Sequence, residues 1–491
     1  MPRLILPALL LFIGCDTDVG ITNLPDVQAE APVAVLSVTP TSLHFDSPQI
    51  GSSQDVVVAN IGGDDLLIEN IEVFLAEDRF IVSDAPLRVV EPGQSTTITV
   101  SWVGTDSADA SGLIVVHTDA PEAGSIEVSV TVAAPDVVGC DPLGTPFGGG
   151  DGTSAEPWRL CSVDQFDAIR TAPEAAFRLY SDIDLSAASL APIPVFSGVL
   201  DGANYTLSDW SHTDPAGQLA LIRRLEGGHV HDLNILRPVL NAGQGEAVLA
   251  LAVIDGAVVE RIRVTDASVT GTDGFISGVV GTVGAGATLS DVVFDGNIVS
   301  HGEIGFVAGV VNTCRGLCEK LVSFGDIDAG VSWKVGGIAQ HVSGGRLSGC
   351  ASHMNITAGS RLGGVASIQS GGIIEDCYSD GVLTGVHWVG GIVGETYGGS
   401  GPIVRRSFSA SPMTASTTHS GIGTSGVVSW DPEPVTVVDS FWDTDVTGTL
   451  HSAGGTRMTT SELQDPSNPA FIAWTGPWVL VDGQYPSLAF E

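Results

Sequence analysis

At 491 residues the chain has room for two or three domains, and 62 glycines against 6% aromatic residues suit a thin body of strands and turns better than a thick globular core. Its 57 acidic residues outnumber 19 basic ones, and a net charge of −38 argues against nucleic acid or an anionic membrane surface as an electrostatic partner. The same charge allows divalent cations or a basic partner, or simply keeps an exported chain soluble.

The chain opens MPRLILPALLLFIGC: one arginine, a short apolar run, then Gly14-Cys15. This predicts a secretory signal over residues 1–14, too short to span a bilayer permanently. LFIGC resembles a bacterial lipobox, with Gly14 before the cut and Cys15 as the lipidated residue, although Phe12 departs from that pattern. The other reading is an ordinary secretory signal with an incidental cysteine. Residues 15–34, polar, acidic and proline-bearing, read as a flexible tether. A diacylated Cys15 supplies the multiple-chain anchoring that one acyl chain cannot. The expectation is an exported protein, lipid-anchored to a bacterial membrane, with the outer membrane or cell surface as its place.

Residues 35–134 carry period-2 runs (VAVLSV, DVVVAN, DLLIENIEV, TTITVSW, GLIVVHT, SIEVSVTV) bounded by turns such as GGDD and EPGQ. Short alternating strands at this spacing predict a β-sandwich. Leu43-x-Phe45, Ile50-Gly51, Val56-x-Val58-x-Asn60-x-Gly62, Leu66-x-Ile68, Phe80 and Glu91-Pro92-Gly93 resemble the abnormal-spindle/hydin-type Ig-like domain, which in bacteria often serves as a choice-of-anchor module. That resemblance implies spacing or docking. Residues 135–157, with GTPFGGGDGTSAEP, read as a linker. GGGDG (Gly148–Gly152) is not a phosphate loop, because no Lys-Ser/Thr follows.

Residues 158–449 repeat themselves. VGGIAQ (Gly336, Gly337), LGGVAS (Gly363, Gly364) and VGGIVG (Gly390, Gly391) mark the clearest copies, with ISGVVG, VAGVVN and TSGVVS as weaker ones. A second anchor follows each: Leu233, Arg263, Val292, Leu321, Cys350, Cys377, Ser407 and Ser440. Six places on stands an aliphatic residue: Val239, Val269, Ile298, Ile327, Ile356, Leu383, Met413 and Val446. Arg263 is out of line, so Ile262 takes its place through a one-residue bulge. Self-similarity at this period marks a repeat architecture whose unit cannot bury its apolar face alone. Val/Ile-rich runs between Gly, Asn, Asp and Ser predict a parallel stack of coils, with the glycine serving either a positive φ or close backbone packing. The fold class expected is all-β: an Ig-like sandwich followed by a right-handed parallel β-helix, closed by a C-terminal cap over residues 450–491.

VGGIVGETYGGSGPIVRRSFSAS and LGGVASIQSGGIIEDCYSDGVLTG resemble GLUG repeats of bacterial surface β-helices and adhesin-like proteins. The flanks resemble theirs too: GDGTSAEPWRLCSVDQFDAI, FRLYSDIDLS and FSGVLDGANYTLSDW before, SFWDTDVTG, SAGGTRMTTSELQDP and DGQYPSL after. The resemblance implies surface display and adhesion.

Six cysteines remain after Cys15, so an exported chain should hold disulfides. Cys140–Cys161 and Cys314–Cys318 are the expected pairs. Cys350 and Cys377 occupy equivalent places on adjacent coils and form either a disulfide or a buried reduced ladder. CRGLC lacks the second ligand pair that zinc needs. Asp376, Arg406 and Asp439, each preceding an anchor on three successive coils, and Tyr378, Phe408 and Phe441, each following one, define a candidate binding face. Its two readings are a sugar-stacking surface and structural ladder packing. Glu375 and Arg405 accompany it, yet no paired-Asp, histidine or lyase Arg/Lys motif is present, nor a G-x-S-x-G elbow. No enzyme, cofactor or metal is therefore expected. His229 and His231 read as a surface pair, and calcium, the one cation allowed for, would look to Asp182, Asp184, Asp201, Asp443 and Asp445. The function expected is adhesion or ligand binding, carbohydrate or a surface protein, through the β-helix; the alternatives are a polysaccharide lyase or hydrolase and a structural envelope component.

Overall fold

The computed structural model describes residues 32–46, 52–75, 80–83, 88–102, 110–121, 124–133, 139–188, 190–214, 217–272, 274–302, 305–397, 401–417, 424–430 and 435–491. The signal segment, Cys15 and most of the tether lie outside the described residues. The chain divides into two compact units, Met1–Asp136 and Val137–Glu491.

In the first unit the alternating runs become two sheets. One has the order Leu36–Thr39, Ser53–Asn60, Ser95–Trp102, Phe80–Val82; the other Ser42–Asp46, Ser125–Ala133, Ala110–Thr118, Leu66–Phe74, Val89–Val90. Val56, Val58, Ile98 and Val100 from one sheet meet Ile114, Val116, Val128 and Val130 from the other, with Phe80 edge-on to Trp102 at 5.0 Å. The Asn60-x-Gly62 motif has a local cause. The buried Asn60 amide donates to the carbonyls of Asp64 (2.7 Å) and Val90 (2.8 Å) and accepts from Gly62 N–H, so the turn leaves no orphaned polar group.

In the second unit every coil-to-coil pairing is parallel, in sheets of twenty, eight and seven strands. The eight-stranded sheet runs from Ile222–Glu226 to Val428–Trp430, one strand per coil, giving a β-solenoid of about eight turns. The anchors stack as Leu233, Ile262, Val292, Leu321, Cys350 and Cys377, so Ile262, not Arg263, fills the interior. The second row begins one residue later than expected. Leu240, not Val239, pairs with Val269, because the early coils carry an extra residue that is lost between Val264 and Ala267. Val239 is 47% exposed. At the far end Val446 leaves the row for a short helix, Thr444–Thr447.

Two backbone devices set the coil. The residue before each anchor is left-handed: Asp232, Arg261, Asp291, Lys320, Gly349, Asp376, Arg406 and Asp439 have φ from +45° to +61°. This kink costs a non-glycine residue roughly 1–2 kcal/mol, which stacking of the whole column must offset. The second device is the glycine row. A Cβ at Gly278, Gly309, Gly337, Gly364 or Gly391 would stand 2.0–2.2 Å from the carbonyl oxygen of the next coil's glycine, so close packing rather than positive φ excludes side chains there. Behind it lies an interior row of Ser323, Ser352, Ser379 and Ser409, bounded by Phe294 and Trp442. Ser323 and Ser379 donate to the carbonyls of Gly337 (2.9 Å) and Gly391 (2.6 Å).

Cys140–Cys161 and Cys314–Cys318 are disulfides, and Cys350 and Cys377 are free, buried thiols. Burial pushes the Cys377 thiol up, with Cys350 beside it adding to the effect. From Gly139 on, the stretch read as linker is built into the solenoid unit: Phe147 enters its core, and Asp141 N–H donates to Gly148 O. Glu246 is a buried carboxyl whose Oε1 accepts from Ala242 N–H at 2.8 Å while Oε2 has no partner. Burial pushes it up to about 8, against the Ala242 hydrogen bond.

Gly337→Ala should lower unfolding stability by about 3 kcal/mol, since backbone must move. Gly286→Ala, with φ +78° and nothing within 4 Å, should cost about 1 kcal/mol in denaturant titrations. For Glu246, the folded state keeps a proton that the unfolded state loses above its ordinary value near 4.5. Stability therefore falls by up to about 1.4 kcal/mol per pH unit from there toward pH 8 and then levels. Glu246→Gln should match the parent near pH 4 and melt progressively higher than it as pH rises to 8.

Candidate functional site

The expected binding face is in register but covered. Tyr378, Phe408 and Phe441 stack on successive coils, the first two rings parallel at 5.0 Å. Of the C-terminal segment, Thr456–Met458 adds a last parallel strand onto Phe441–Asp443 at the end of the stack, and the residues after it lie across the aromatic column as a strap along the flank. Trp478 is 5.8 Å from Phe408 and Trp474 is 5.5 Å from Phe441, while Leu463, Phe471 and Leu488 complete the cluster. Polar contacts lock it. Trp478 Nε1 donates to Asp376 Oδ1 (3.0 Å), Trp474 Nε1 to the Asp439 carbonyl (2.9 Å) and the Tyr378 hydroxyl to Glu491 Oε2 (2.8 Å). Asp376, Tyr378, Phe408 and Phe441 are all buried; only Asp439 stays exposed. An aromatic column on the outside of a sheet is apolar area, and the chain covers it with its own tryptophans.

The charges there are also spoken for. Arg406 holds Asp376 through Nε (2.7 Å) and a second nitrogen (2.5 Å). Arg346, Arg405 and Arg406 surround Glu375. Burial works to raise the Glu375 carboxyl, but Arg405, Arg346 and Arg406 together hold it below the usual range, where it cannot serve as a proton donor at neutral pH.

The five aspartates considered for calcium do not gather. Asp443 caps its helix through Oδ1 and accepts from Thr460 and Tyr485 hydroxyls through Oδ2; Asp445 accepts from Thr460 N–H. Asp182 and Asp184 accept from Thr206 and Ser186 N–H. Asp201 instead joins His231 and Asp232, with ligand atoms all within 4.8 Å. Arg261 already engages both Asp232 oxygens (2.6 and 2.9 Å), and His229 lies beside Glu260 (3.0 Å). A neighbouring cavity of about 490 Å³ is lined by Glu156, Arg159, Arg178, Tyr180, Asp201 and His231.

A different site comes from the glycine pairs. Between the seven- and eight-stranded sheets the chain folds inward: a Cβ at Gly336, Gly363 or Gly390 would lie 1.7–1.9 Å from the carbonyl three residues on. The outer faces of the two sheets therefore meet in a re-entrant corner. Contacts cross it. The Asn312 amide donates to Phe306 O (2.5 Å), Ser367 Oγ to Arg361 O (2.5 Å), and Arg361 pairs with Glu395. One wall carries, coil after coil, Phe275, Phe306, Lys334, Arg361 and Trp388. The other carries Thr282, Thr313, His341, Ile368 and Glu395.

Rings and cations interleave along the first wall. Phe275 and Phe306 stack at 5.0 Å, Lys334 Nζ lies 5.1 Å from the Phe306 ring centre, and the Arg361 guanidinium lies 4.7 Å from Trp388 and 5.7 Å from Trp333. Phe275 is 50% and Trp333 57% exposed. Arg361 and Trp388 have φ of +51° and +56°, a left-handed backbone that bulky residues seldom accept and that clusters at ligand sites. Burial raises the Glu395 carboxyl against Arg361 and Lys334, lowers the Lys334 ammonium, and takes His341 down to about 4. Reading by chemistry alone missed this wall, though its signal stands in plain order: FISG, FVAG, KVGG, RLGG and WVGG each place the wall residue at one offset from the turn.

No family model and no curated protein matches the chain. Among solved structures it is similar to a candidate immunoglobulin A1 protease from Bacteroides ovatus: 15% identity, TM-score 0.36, 70% of this chain and 96% of that one. It is also similar to an IgA1 protease at 12% identity and TM-score 0.36, over 84% of this chain but 27% of that one. A third match is the CsuC–CsuE chaperone–tip adhesion subunit complex of Acinetobacter baumannii, at 14% identity and TM-score 0.18, over 23% of this chain and 62% of that one. At these values the matches say nothing of what the chain does.

Trp478→Ala should destabilise the solenoid unit by about 3–5 kcal/mol and raise binding of an apolar dye as Tyr378 and Phe408 are uncovered. An unchanged melting curve with no added dye binding would contradict the strap.

Proposed function

We propose that this chain is an exported, lipid-anchored surface protein that holds a carbohydrate chain along the re-entrant corner of its β-solenoid. The observation that carries the reading is the wall of Phe275, Phe306, Lys334 and Arg361, ending on the buried Trp388, with the rings of Phe275 and Trp333 exposed. Flat ring faces suit the C–H faces of sugars, and exposed aromatic area in a concave polar setting is the usual mark of a binding surface. The wall runs along the stack, so a linear glycan lying on it would pass one wall residue per coil, every 4.8 Å or so. The lipobox-like LFIGC ending at Cys15 and the GLUG-like repeats support display at a bacterial surface, with the Ig-like sandwich as spacer.

One observation favours a second reading, cleavage. Glu395 with a raised carboxyl and Lys334 with a lowered ammonium face the same corner, and opposed shifts of this kind occur at acid–base sites.

Both readings are tested by incubating the full chain in detergent with immobilised and soluble polysaccharides. Binding predicts retention that falls at least tenfold, about 1.4 kcal/mol, in the Phe275→Ala/Trp333→Ala double variant, whose melting temperature should be unchanged because both side chains are exposed. Retention unaffected by that variant overturns the corner; new reducing ends or unsaturated products establish cleavage.

A further inference from the structure

Within the corner, Lys334 is the unusual group. It is half-buried and, among the described residues, has no carboxylate within salt-bridge distance; its Nζ instead sits over the Phe306 ring at 5.1 Å. One coil on, the cation differs: Arg361 also lies over rings, those of Trp388 and Trp333, but has Glu395 as its carboxylate. Glu395 acts on it only from beyond that distance, and a partly desolvated ammonium without a contacting carboxylate carries a cost that an incoming one lowers. Lys334 is also one of only two lysines in a chain of net charge −38.

We infer that the corner selects an oligosaccharide bearing an isolated carboxylate, a uronic or sialic acid residue, with the carboxylate on Lys334 Nζ and the adjoining sugars on the exposed rings of Phe275 and Trp333. This rests on the carbohydrate reading above and names the class of sugar. The charge of the whole chain sets the other limit. Acidic groups more than about 8 Å away are screened at physiological salt, so one ligand carboxylate feels mainly the corner. A densely sulfated or uronated polymer brings many charges against the −38 of the chain and is repelled.

The test is an array of uronate- and sialate-terminated oligosaccharides, their carboxyl-reduced counterparts and a densely sulfated polymer, probed with the full chain at physiological salt. The expected result is at least tenfold tighter binding of the acidic forms than of their reduced counterparts. Lys334→Gln should abolish the preference, leaving acidic and reduced forms bound equally, and Lys334→Arg should keep it. Equal binding of acidic and reduced forms by both the parent and Lys334→Gln overturns the inference and leaves the carbohydrate reading standing. Tightest binding of the sulfated polymer overturns it as well. No binding of any glycan overturns both.

Discussion

Successive coils approach so closely at one row of glycines that no side chain fits, and the form of the solenoid follows from that contact. At Gly278, Gly309, Gly337, Gly364 and Gly391 a Cβ would fall about two ångströms from a neighbouring carbonyl oxygen. Cα atoms in these turns can therefore sit against one another, the chain can fold inward, and two sheets can meet outer face to outer face. The same closeness dictates what lies behind. Ser323, Ser352, Ser379 and Ser409 are small enough to back the glycines, and Ser323 and Ser379 donate to their carbonyls, whereas Phe294 and Trp442 close the row where it stops. The corner and the serine row are two faces of one steric constraint.

Two aromatic columns of the solenoid have opposite fates. Tyr378, Phe408 and Phe441 on the twenty-stranded sheet are sealed by Trp474 and Trp478, with Asp376 and Asp439 recruited as hydrogen-bond acceptors for the strap. Phe275, Phe306 and Trp388 in the corner share their wall with the cations Lys334 and Arg361 instead of with more apolar surface, and Phe275 with Trp333 remains open. An apolar column with charges already paired is a packing surface. In the corner, by contrast, Lys334 lies over a ring without an ion-pair partner among the described residues.

Much of the architecture was legible because it repeats. The aliphatic anchors, the exchange of Ile262 for Arg263 and the two close cysteine pairs could be read from spacing, since stacked parallel strands turn equal intervals into contacts. The slip from Val239 to Leu240 could not. It depends on where an early coil drops its extra residue, and one residue reverses which side faces in. The covering of Asp376 and Tyr378 was hidden for another reason: periodicity describes one coil against the next, and the strap contacts come from residues about a hundred places away, as Trp478 does to Asp376. The corner was hidden because the glycines carry the repeat signal, while the residue two places ahead of the pair in KVGG, RLGG and WVGG changes type from coil to coil and so leaves no periodic mark.

The most direct test of the corner is a crystal structure of the full chain with an acidic oligosaccharide that it retains. The account predicts sugar rings running along the coils against Phe275 and Trp333, with the carboxylate at Lys334 Nζ. Sugar seated instead in the cavity beside Tyr180 and His231, or against Tyr378 and Phe408 with the C-terminal strap displaced, would contradict it.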